Sequence, residues 1–259
     1  MPKFQSHGAQ VHYEVVGEGA PVLLIAGTAS DGASWAPLTP ILAERFKVIL
    51  IDNRGAGQTR FDGPILVRDM VDDCAALLDH LGVQKAHVIG HSLGGGIAAW
   101  FAVRHANRTD RLVTMAFGPL MPQARILFKD LAKLYPQVAP QLFFRLLFQF
   151  LFKPGFFDSE ANVAAAAEGS TAYRYRQSPE DFARQVAALD TFEHYDIGSI
   201  TAPTLAIAGE LDLLADPDKI RAIHRKIADF RMATIQGAAH SIHWDDTAAT
   251  AKAILEFLG

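Results

Sequence analysis

Short apolar runs alternate with longer segments of helical periodicity along most of the chain, and this pattern predicts its secondary structure. Gly17 and Gly19 lie in a turn between the first two runs, so we interpret these runs as a hairpin. Strands that alternate with helices predict a mostly parallel sheet that is covered on both faces. The predicted strands are residues 10–16, 21–26, 48–51, 86–89, 112–117, 204–208 and 232–235, and the clearest helices are 35–46, 66–81, 97–103, 218–227 and 248–258.

The alternation stops between residues 119 and 196, where no strand-like run occurs and Leu, Phe and Ala recur at helical spacing. We interpret this segment as a helical lid (cap) on a core formed by residues 1–118 and 197–259. Residues 142–152 are apolar almost all round, so as a helix they must be buried on more than one side. They are too few to span a bilayer. We expect three of them to line a substrate pocket, or alternatively only to pack the lid: Phe144, Phe148 and Phe152.

Composition narrows the class of protein. The 259 residues suit one large α/β domain, and half of them are hydrophobic. The net charge is −4, with Lys and Arg scattered, which argues against nucleic acid and acidic lipid as partners. The single cysteine, Cys74, excludes an internal disulfide and a cysteine-rich zinc site. Neither a signal peptide nor a long apolar span is recognisable, so we expect a cytoplasmic protein that acts on a small molecule without stable membrane association.

One candidate nucleophile lies between a predicted strand and a predicted helix. Ser92 is the centre of Gly90-His91-Ser92-Leu93-Gly94, which directly follows the apolar run 86–89. In such a turn the serine hydroxyl projects from the end of a sheet, and glycines are required because a Cβ would collide with neighbouring elements. The following helix points its N-terminal amides at the site, where they stabilise negative charge.

A serine hydroxyl needs a base to take its proton, and a carboxylate usually orients that base. We favour His240 as the base, because it follows an apolar strand in a loop at the sheet edge; His243 stays open. Asp212 is the favoured acid, because it follows the strand 204–208. Glu210 and Asp216 are lesser candidates, and these acids could instead cap the entry of the next helix.

Taken together, these segments resemble the α/β-hydrolase fold superfamily over nearly the whole chain. The matching segments are Gly90 to Gly94, Asp52 to Gly57, Gly209 to Asp212 and Gly237 to His240. The resemblance implies a twisted eight-stranded sheet with a helical lid after the sixth strand. It also implies an oxyanion hole formed by the backbone amides of Thr28 and Leu93, in a loop that carries Ala26 where the family usually has histidine.

The resemblance also implies a function. Because Ser92 stands where dehalogenases and epoxide hydrolases of this fold have aspartate, those chemistries are disfavoured. The implied activity is that of a serine hydrolase, without cofactor or metal, acting on a small, largely apolar ester through Ser92, His240 and Asp212. The alternatives are a carbon-carbon bond hydrolase or lactonase and, in another class, a small-molecule receptor that retains the triad.

Overall fold

The computed structural model of the protein describes residues 2–119, 121–192 and 195–259. One sheet of eight strands runs through this part of the chain. The strands are β1 (Lys3–Ser6), β2 (Ala9–Val16), β3 (Ala20–Ile25), β4 (Phe46–Ile51), β5 (Ala86–His91), β6 (Thr109–Met115), β7 (Thr204–Gly209) and β8 (Phe230–Ile235). The α-helices are α1 (Thr39–Ala43), α2 (Val67–His80), α3 (Leu93–Arg104), α4 (Pro122–Leu134), α5 (Pro140–Leu151), α6 (Glu160–Ala172), α7 (Pro179–Ala188), α8 (Pro217–His224), α9 (Ile242–Asp245) and α10 (Thr247–Leu258).

The sheet order is β1-β2-β4-β3-β5-β6-β7-β8. All neighbours from β4 to β8 in this order are parallel, whereas β1 pairs antiparallel with β2 and β2 pairs antiparallel with β4. The predicted mostly parallel, eight-stranded sheet is therefore confirmed. In a parallel sheet the carboxyl ends of the strands meet at one edge, where the loops of α/β proteins form their sites.

The predicted hairpin between the first two apolar runs is wrong, because β4 lies between β2 and β3 in the sheet. Gly17 and Gly19 carry the chain across the start of β4 with positive φ angles of 78° and 113°. A Cβ on Gly17 would lie 2.5 Å from the Phe46 carbonyl oxygen. The glycines thus mark a close backbone crossing, and the actual hairpin joins β2 to the four-residue strand β1, which the sequence pattern did not reveal.

Two layers of helix cover the sheet, as its apolar strands require. Alternate residues of β3 point to opposite layers, with Leu23 and Ile25 in the cluster that contains α2 and α3. Val22 and Leu24 pack in the cluster that contains α10 and Trp35. The helix predicted over residues 35–46 is shorter than expected and consists of a 3₁₀ turn at Gly32–Trp35 followed by α1.

Helices α4 to α7 lie between β6 and β7 in the chain and are called the cap below. They have a small core of their own, in which Phe143 stacks on Tyr135 at 3.6 Å and contacts Phe182. All four fall inside the predicted insertion, while its exact limits and its action as a lid stay predictions. Among the described helices, none is long and apolar enough to cross a bilayer.

Candidate active site

Ser92 occupies a strained turn between β5 and α3. Its φ of 53° and ψ of −117° lie outside the regions that non-glycine residues normally adopt. Such strain persists only where the surroundings impose the conformation, and it is typical of functional sites. The Ser92 amide donates to the Met115 carbonyl oxygen at 2.8 Å, so the end of β6 helps to hold the turn.

Two glycines allow this turn to pack. A Cβ on Gly90 would lie 2.0 Å from the Gly94 carbonyl oxygen, and one on Gly94 would lie 2.1 Å from the Ile25 carbonyl oxygen. Both contacts are with backbone, which cannot rotate away as a side chain can. The sequence-based reason for these glycines therefore agrees with the packing around Ser92.

His240 and Asp212 form a buried pair at the same edge of the sheet. The His240 Nδ1 atom lies 3.0 Å and 2.9 Å from the two carboxylate oxygens of Asp212. The Asp212 side chain is completely buried, and its Oδ1 also accepts from the amides of Leu214 and Ala215. Because a carboxylate only accepts, Nδ1 carries the proton and the Nε2 lone pair is available to a hydroxyl.

The alternative acids and the alternative base lie elsewhere. Asp216 caps α8 by accepting from the amides of Asp218 and Lys219, so the helix-cap interpretation describes this residue. Glu210 is exposed and accepts from the Gly237 amide. His243 stacks on Trp35 at 5.0 Å between ring centroids, and its Nε2 lies 3.1 Å from the Ser34 carbonyl oxygen. The structure thus pairs His240 with Asp212 and separates the others from this pair.

His91 ties the nucleophile turn to the loop of His240, a role that the sequence analysis did not assign. Its Nε2–H donates to the His240 carbonyl oxygen at 2.9 Å, and the two rings are 5.0 Å apart. Burial lowers the pKa of His91 well below its usual value, and the neighbouring His243 and His240 add to this effect. A neutral His91 therefore supports the loop without adding positive charge beside His240. Its place immediately before Ser92 was the only signal in the sequence.

Side-chain amides hold the loop that carries Thr28. The Asn53 amide donates to the Ala26 carbonyl oxygen at 2.9 Å. On the other side of Thr28, the Ala29 amide donates to Oε1 of the buried Gln185 at 3.2 Å. The loop thus has anchors that need no histidine at position 26. Gln185 belongs to the cap, and nothing in its local sequence identified it.

The cavity beside Ser92, called the catalytic cavity below, has a volume of about 260 Å³. Thr28, Leu93 and His240 also line it, and Ser92 and His240 line a second, small slot of about 30 Å³ as well. The amide of Leu93 belongs to the first turn of α3, where backbone donors have no partner within the helix. Apart from Arg125 and Tyr195, the remaining wall consists of apolar side chains and Gly118: Ala116, Phe117, Phe128, Leu189, Phe192, Leu214 and Ala215.

The three phenylalanines expected to line this cavity do not reach it, which corrects the expectation from the sequence. Phe144 lines a second cavity, while Phe148 and Phe152 line a groove with Phe156. The face of α5 that reaches Ser92 instead presents Leu147 and Leu151 to the slot. The two sets are offset by one residue, which is about 100° around a helix. An apolar pattern that covers almost the whole helix could not reveal this rotation.

Buried neutral histidines near the site predict acid-induced loss of stability. Burial lowers the pKa of His243 from 6.5 to about 4. As the pH falls below 6.5, His243 takes up a proton in the unfolded protein but not in the folded one. The free energy of unfolding therefore decreases until the pH reaches about 4, where folded His243 is protonated as well. Since one pKa unit corresponds to about 1.4 kcal/mol, we expect this residue to contribute on the order of 3 kcal/mol to that loss.

Urea unfolding of the wild type and of His243→Gln between pH 7 and pH 4 measures this contribution. Glutamine keeps an amide donor for the Ser34 carbonyl oxygen but does not titrate. The free energy of unfolding of His243→Gln should therefore fall less steeply with decreasing pH than that of the wild type. The comparison also removes the opposite effect of Asp31, whose pKa is raised to about 6 mainly by burial and which favours folding as it is protonated. Equal slopes in the two proteins would contradict the prediction.

The fold and this site define an α/β hydrolase. The family model for the alpha/beta hydrolase fold matches residues 20–247, so the chain belongs to this family. The match covers most of the chain and includes all three residues of the expected triad.

Individual relatives and solved structures within this family are similar to the chain over nearly its whole length. The chain is 29% identical over 248 residues to "Putative carbamate hydrolase RutD" of Azorhizobium caulinodans, covering 93% of this chain and 92% of the relative. Among solved structures, a thermophilic esterase from Thermogutta terrifontis has a TM-score of 0.82 and 26% identity, with 99% and 96% of the two chains covered. The enol-lactonase from Burkholderia xenovorans LB400 has a TM-score of 0.86 at 24% identity, with 99% of both chains covered, and supports the fold.

Proposed function

We propose that this hydrolase is a cofactor-independent serine esterase that acts on a small, largely apolar ester or a related acyl compound. The observation that carries the proposal is the buried pair of His240 and Asp212, with His240 and the strained Ser92 lining the same cavity. The name and structure of the thermophilic esterase support the same reaction class. The name of the curated relatives adds the carbamate, a nitrogen-substituted acyl group, as a second candidate substrate.

In the proposed reaction His240 removes the hydroxyl proton of Ser92 as Oγ attacks the carbonyl carbon of the substrate. The oxyanion that forms accepts hydrogen bonds from the amides of Thr28 and Leu93. His240 then gives its proton to the leaving alcohol, and an acyl-enzyme remains on Ser92. A water molecule attacks this acyl group while His240 takes its proton. The acid is released as the bond to Ser92 Oγ breaks, and His240 returns the proton to Oγ. Asp212 keeps His240 in the tautomer that this sequence requires.

The volume and the lining of the catalytic cavity suit a substrate whose acyl or alcohol group is small and mainly apolar. A volume of about 260 Å³ is slightly below the usual range for ligand pockets, which begins near 300 Å³. Burial of each methylene in such a wall contributes about 0.8 kcal/mol. We therefore expect medium-sized groups to be hydrolysed faster than acetates of the same alcohol.

A substrate screen with purified protein tests the proposal. The panel should contain esters, thioesters, lactones, carbamates and vinylogous diketones, with Ser92→Ala assayed in parallel. Ester turnover at about 1 to 1000 per second on the best substrate would support an esterase. Preferential cleavage of the diketones would favour the carbon-carbon hydrolase, preferential opening of lactones the lactonase, and slow turnover of every compound a receptor that retains the triad.

A pair of cap substitutions tests which aromatic side chains select the substrate. Phe128 and Phe144 are 7% and 8% exposed, but only Phe128 lines the catalytic cavity. We expect both alanine variants to lose about 3 to 5 kcal/mol of stability, because each leaves a void in the cap. Only Phe128→Ala should move the optimum of kcat/KM to longer acyl or alcohol chains. An equal shift in Phe144→Ala, measured over an ester series, would assign the specificity to the second cavity.

A further inference from the structure

The loop that carries His240 is connected to the cap on both sides of the histidine, through Asp245 before it and by a direct hydrogen bond after it. The amide of Ala239, which precedes His240, donates to Asp245 Oδ2 at 2.7 Å. The same carboxylate accepts from the amide of Lys153, which lies at 3.2 Å from both oxygens. After the histidine, the amide of Ser241 donates to the Leu151 carbonyl oxygen at 2.7 Å. Residues 239–241, which include the catalytic base, are thus joined to residues 151–153, which are distant from them in the chain.

These contacts are made where α5 ends. The last carbonyl oxygens of a helix have no acceptor role within it, so the Leu151 oxygen is free to accept from Ser241. Lys153 follows two residues later, and its Nζ donates to the Asp245 carbonyl oxygen at 2.6 Å. Burial raises the pKa of Asp245, and the amides of Ala239 and Lys153 and the Lys153 charge oppose this shift. Its carboxylate is therefore paired with groups that favour the charged form.

The same turn of α5 also reaches the proposed substrate site beside Ser92. Leu147 and Leu151 line the slot beside Ser92 and His240. A displacement of α5 by a bound acyl group would therefore reach the His240 loop through Leu151 and Asp245. The loop is also held by His91, the last residue of β5. The loop of the general base is thus held by the core through His91, and by the cap through Leu151 directly and through Lys153 by way of Asp245.

We propose that Asp245 is a positioning residue that couples the end of cap helix α5 to the catalytic base. It acts through the backbone around His240 and touches neither the substrate nor Ser92. The proposal rests on the function proposed above, in which His240 is the base. It assigns the cap a part in catalysis, in addition to forming the wall of the cavity.

Lys153 offers a way to cut only the cap side of this connection. Its φ of −61° is the angle that proline requires, and Phe152 has the extended conformation that suits a residue before proline. Lys153→Pro therefore removes the amide donor without straining the backbone. Since it also removes Nζ, Lys153→Met is the matched control, because it loses Nζ and keeps the amide. Asp245→Asn tests the acceptor itself.

We expect Lys153→Pro and Asp245→Asn to lower kcat at least about tenfold and to leave KM within about threefold, with Lys153→Met near the wild type. Active sites are counted with a serine-directed phosphonate, so that kcat refers to folded, competent protein. Arg145→Met, which breaks the surface pair of Arg145 and Glu160 within the cap, controls for general loosening of the cap. If Lys153→Pro matches Lys153→Met, or if lost turnover only follows lost active sites, the coupling is refuted.

A proton NMR measurement separates this proposal from the proposed function. The proton shared by His240 Nδ1 and Asp212 gives a downfield signal that can be followed in Ser92→Ala without any turnover. Each substitution is added to Ser92→Ala. If the signal shifts or broadens with Asp245→Asn and Lys153→Pro, but not with Lys153→Met, the coupling is supported even if no ester is hydrolysed. An unchanged signal in both variants would overturn it even if the protein is an active esterase. Should Lys153→Pro fail to fold, Asp245→Asn decides both readouts.

Discussion

Replacing Ser92 by alanine is expected to lower kcat at least about a thousandfold on any substrate that the wild type hydrolyses. The mutant keeps the catalytic cavity and the amides of Thr28 and Leu93, but it has no atom that can form the acyl-enzyme. Residual activity should come from binding and from oxyanion stabilisation alone. A serine-directed phosphonate should label the wild type once, at Ser92, and should not label the mutant.

Ser241→Ala is the control for this experiment, because Ser241 also lines the slot beside His240. Its amide remains in the mutant, so the bond to the Leu151 carbonyl oxygen is kept. We expect it to be labelled by the phosphonate at Ser92 like the wild type. Label found on another serine, or near-normal turnover in Ser92→Ala, would refute the covalent mechanism.

Asp212→Asn is expected to produce the second large loss, again at least about a thousandfold in kcat. Asparagine keeps an oxygen for the amides of Leu214 and Ala215, so the loop should hold its shape and the melting temperature should stay within a few degrees. Its NH2 group, however, would face His240 Nδ1 and favour the tautomer with the proton on Nε2. That tautomer cannot accept the proton of Ser92.

Two neighbouring acids are the matched controls for Asp212. Glu210→Gln and Asp216→Asn should each retain kcat within about threefold, since Glu210 accepts from the Gly237 amide and Asp216 caps α8. Steady-state kinetics and circular dichroism on the four proteins decide the assignment. A large loss in either control with a small one in Asp212→Asn would move the acid to another residue.

The candidate triad could be predicted because each of its members has a local signature. Ser92 lies between Gly90 and Gly94, where a Cβ would come within 2.0 Å and 2.1 Å of backbone oxygens, and His240 and Asp212 follow apolar strands. The carboxyl ends of parallel strands lie at the same edge of a sheet. Residues that directly follow such strands in the sequence could therefore be assigned to one edge. His91 has no such signature, because its bond is to a carbonyl oxygen 149 residues away.

The cap shows where sequence periodicity stops being informative. Residues 142–152 predict a buried helix, and α5 ends at Leu151, but apolar side chains on nearly every face cannot say which face meets Ser92. Leu147 and Leu151 took the place assigned to the phenylalanines, which pack with the aromatic side chains of the cap instead. The role of Asp245 was missed for a related reason, because its cap partner Lys153 lies 92 residues away in the chain.

The sequence by itself determined the parallel α/β core, the helical insertion, the strand-to-helix turn of Ser92 and the candidates for its partners. These follow from periodicity and from glycine positions, which act over a few residues. Only the tertiary structure decided that β4 separates β2 from β3, that His240 and not His243 meets Asp212, and which face of α5 reaches the cavity. Each of these depends on contacts between distant segments, whose geometry is set by the packing of the whole chain.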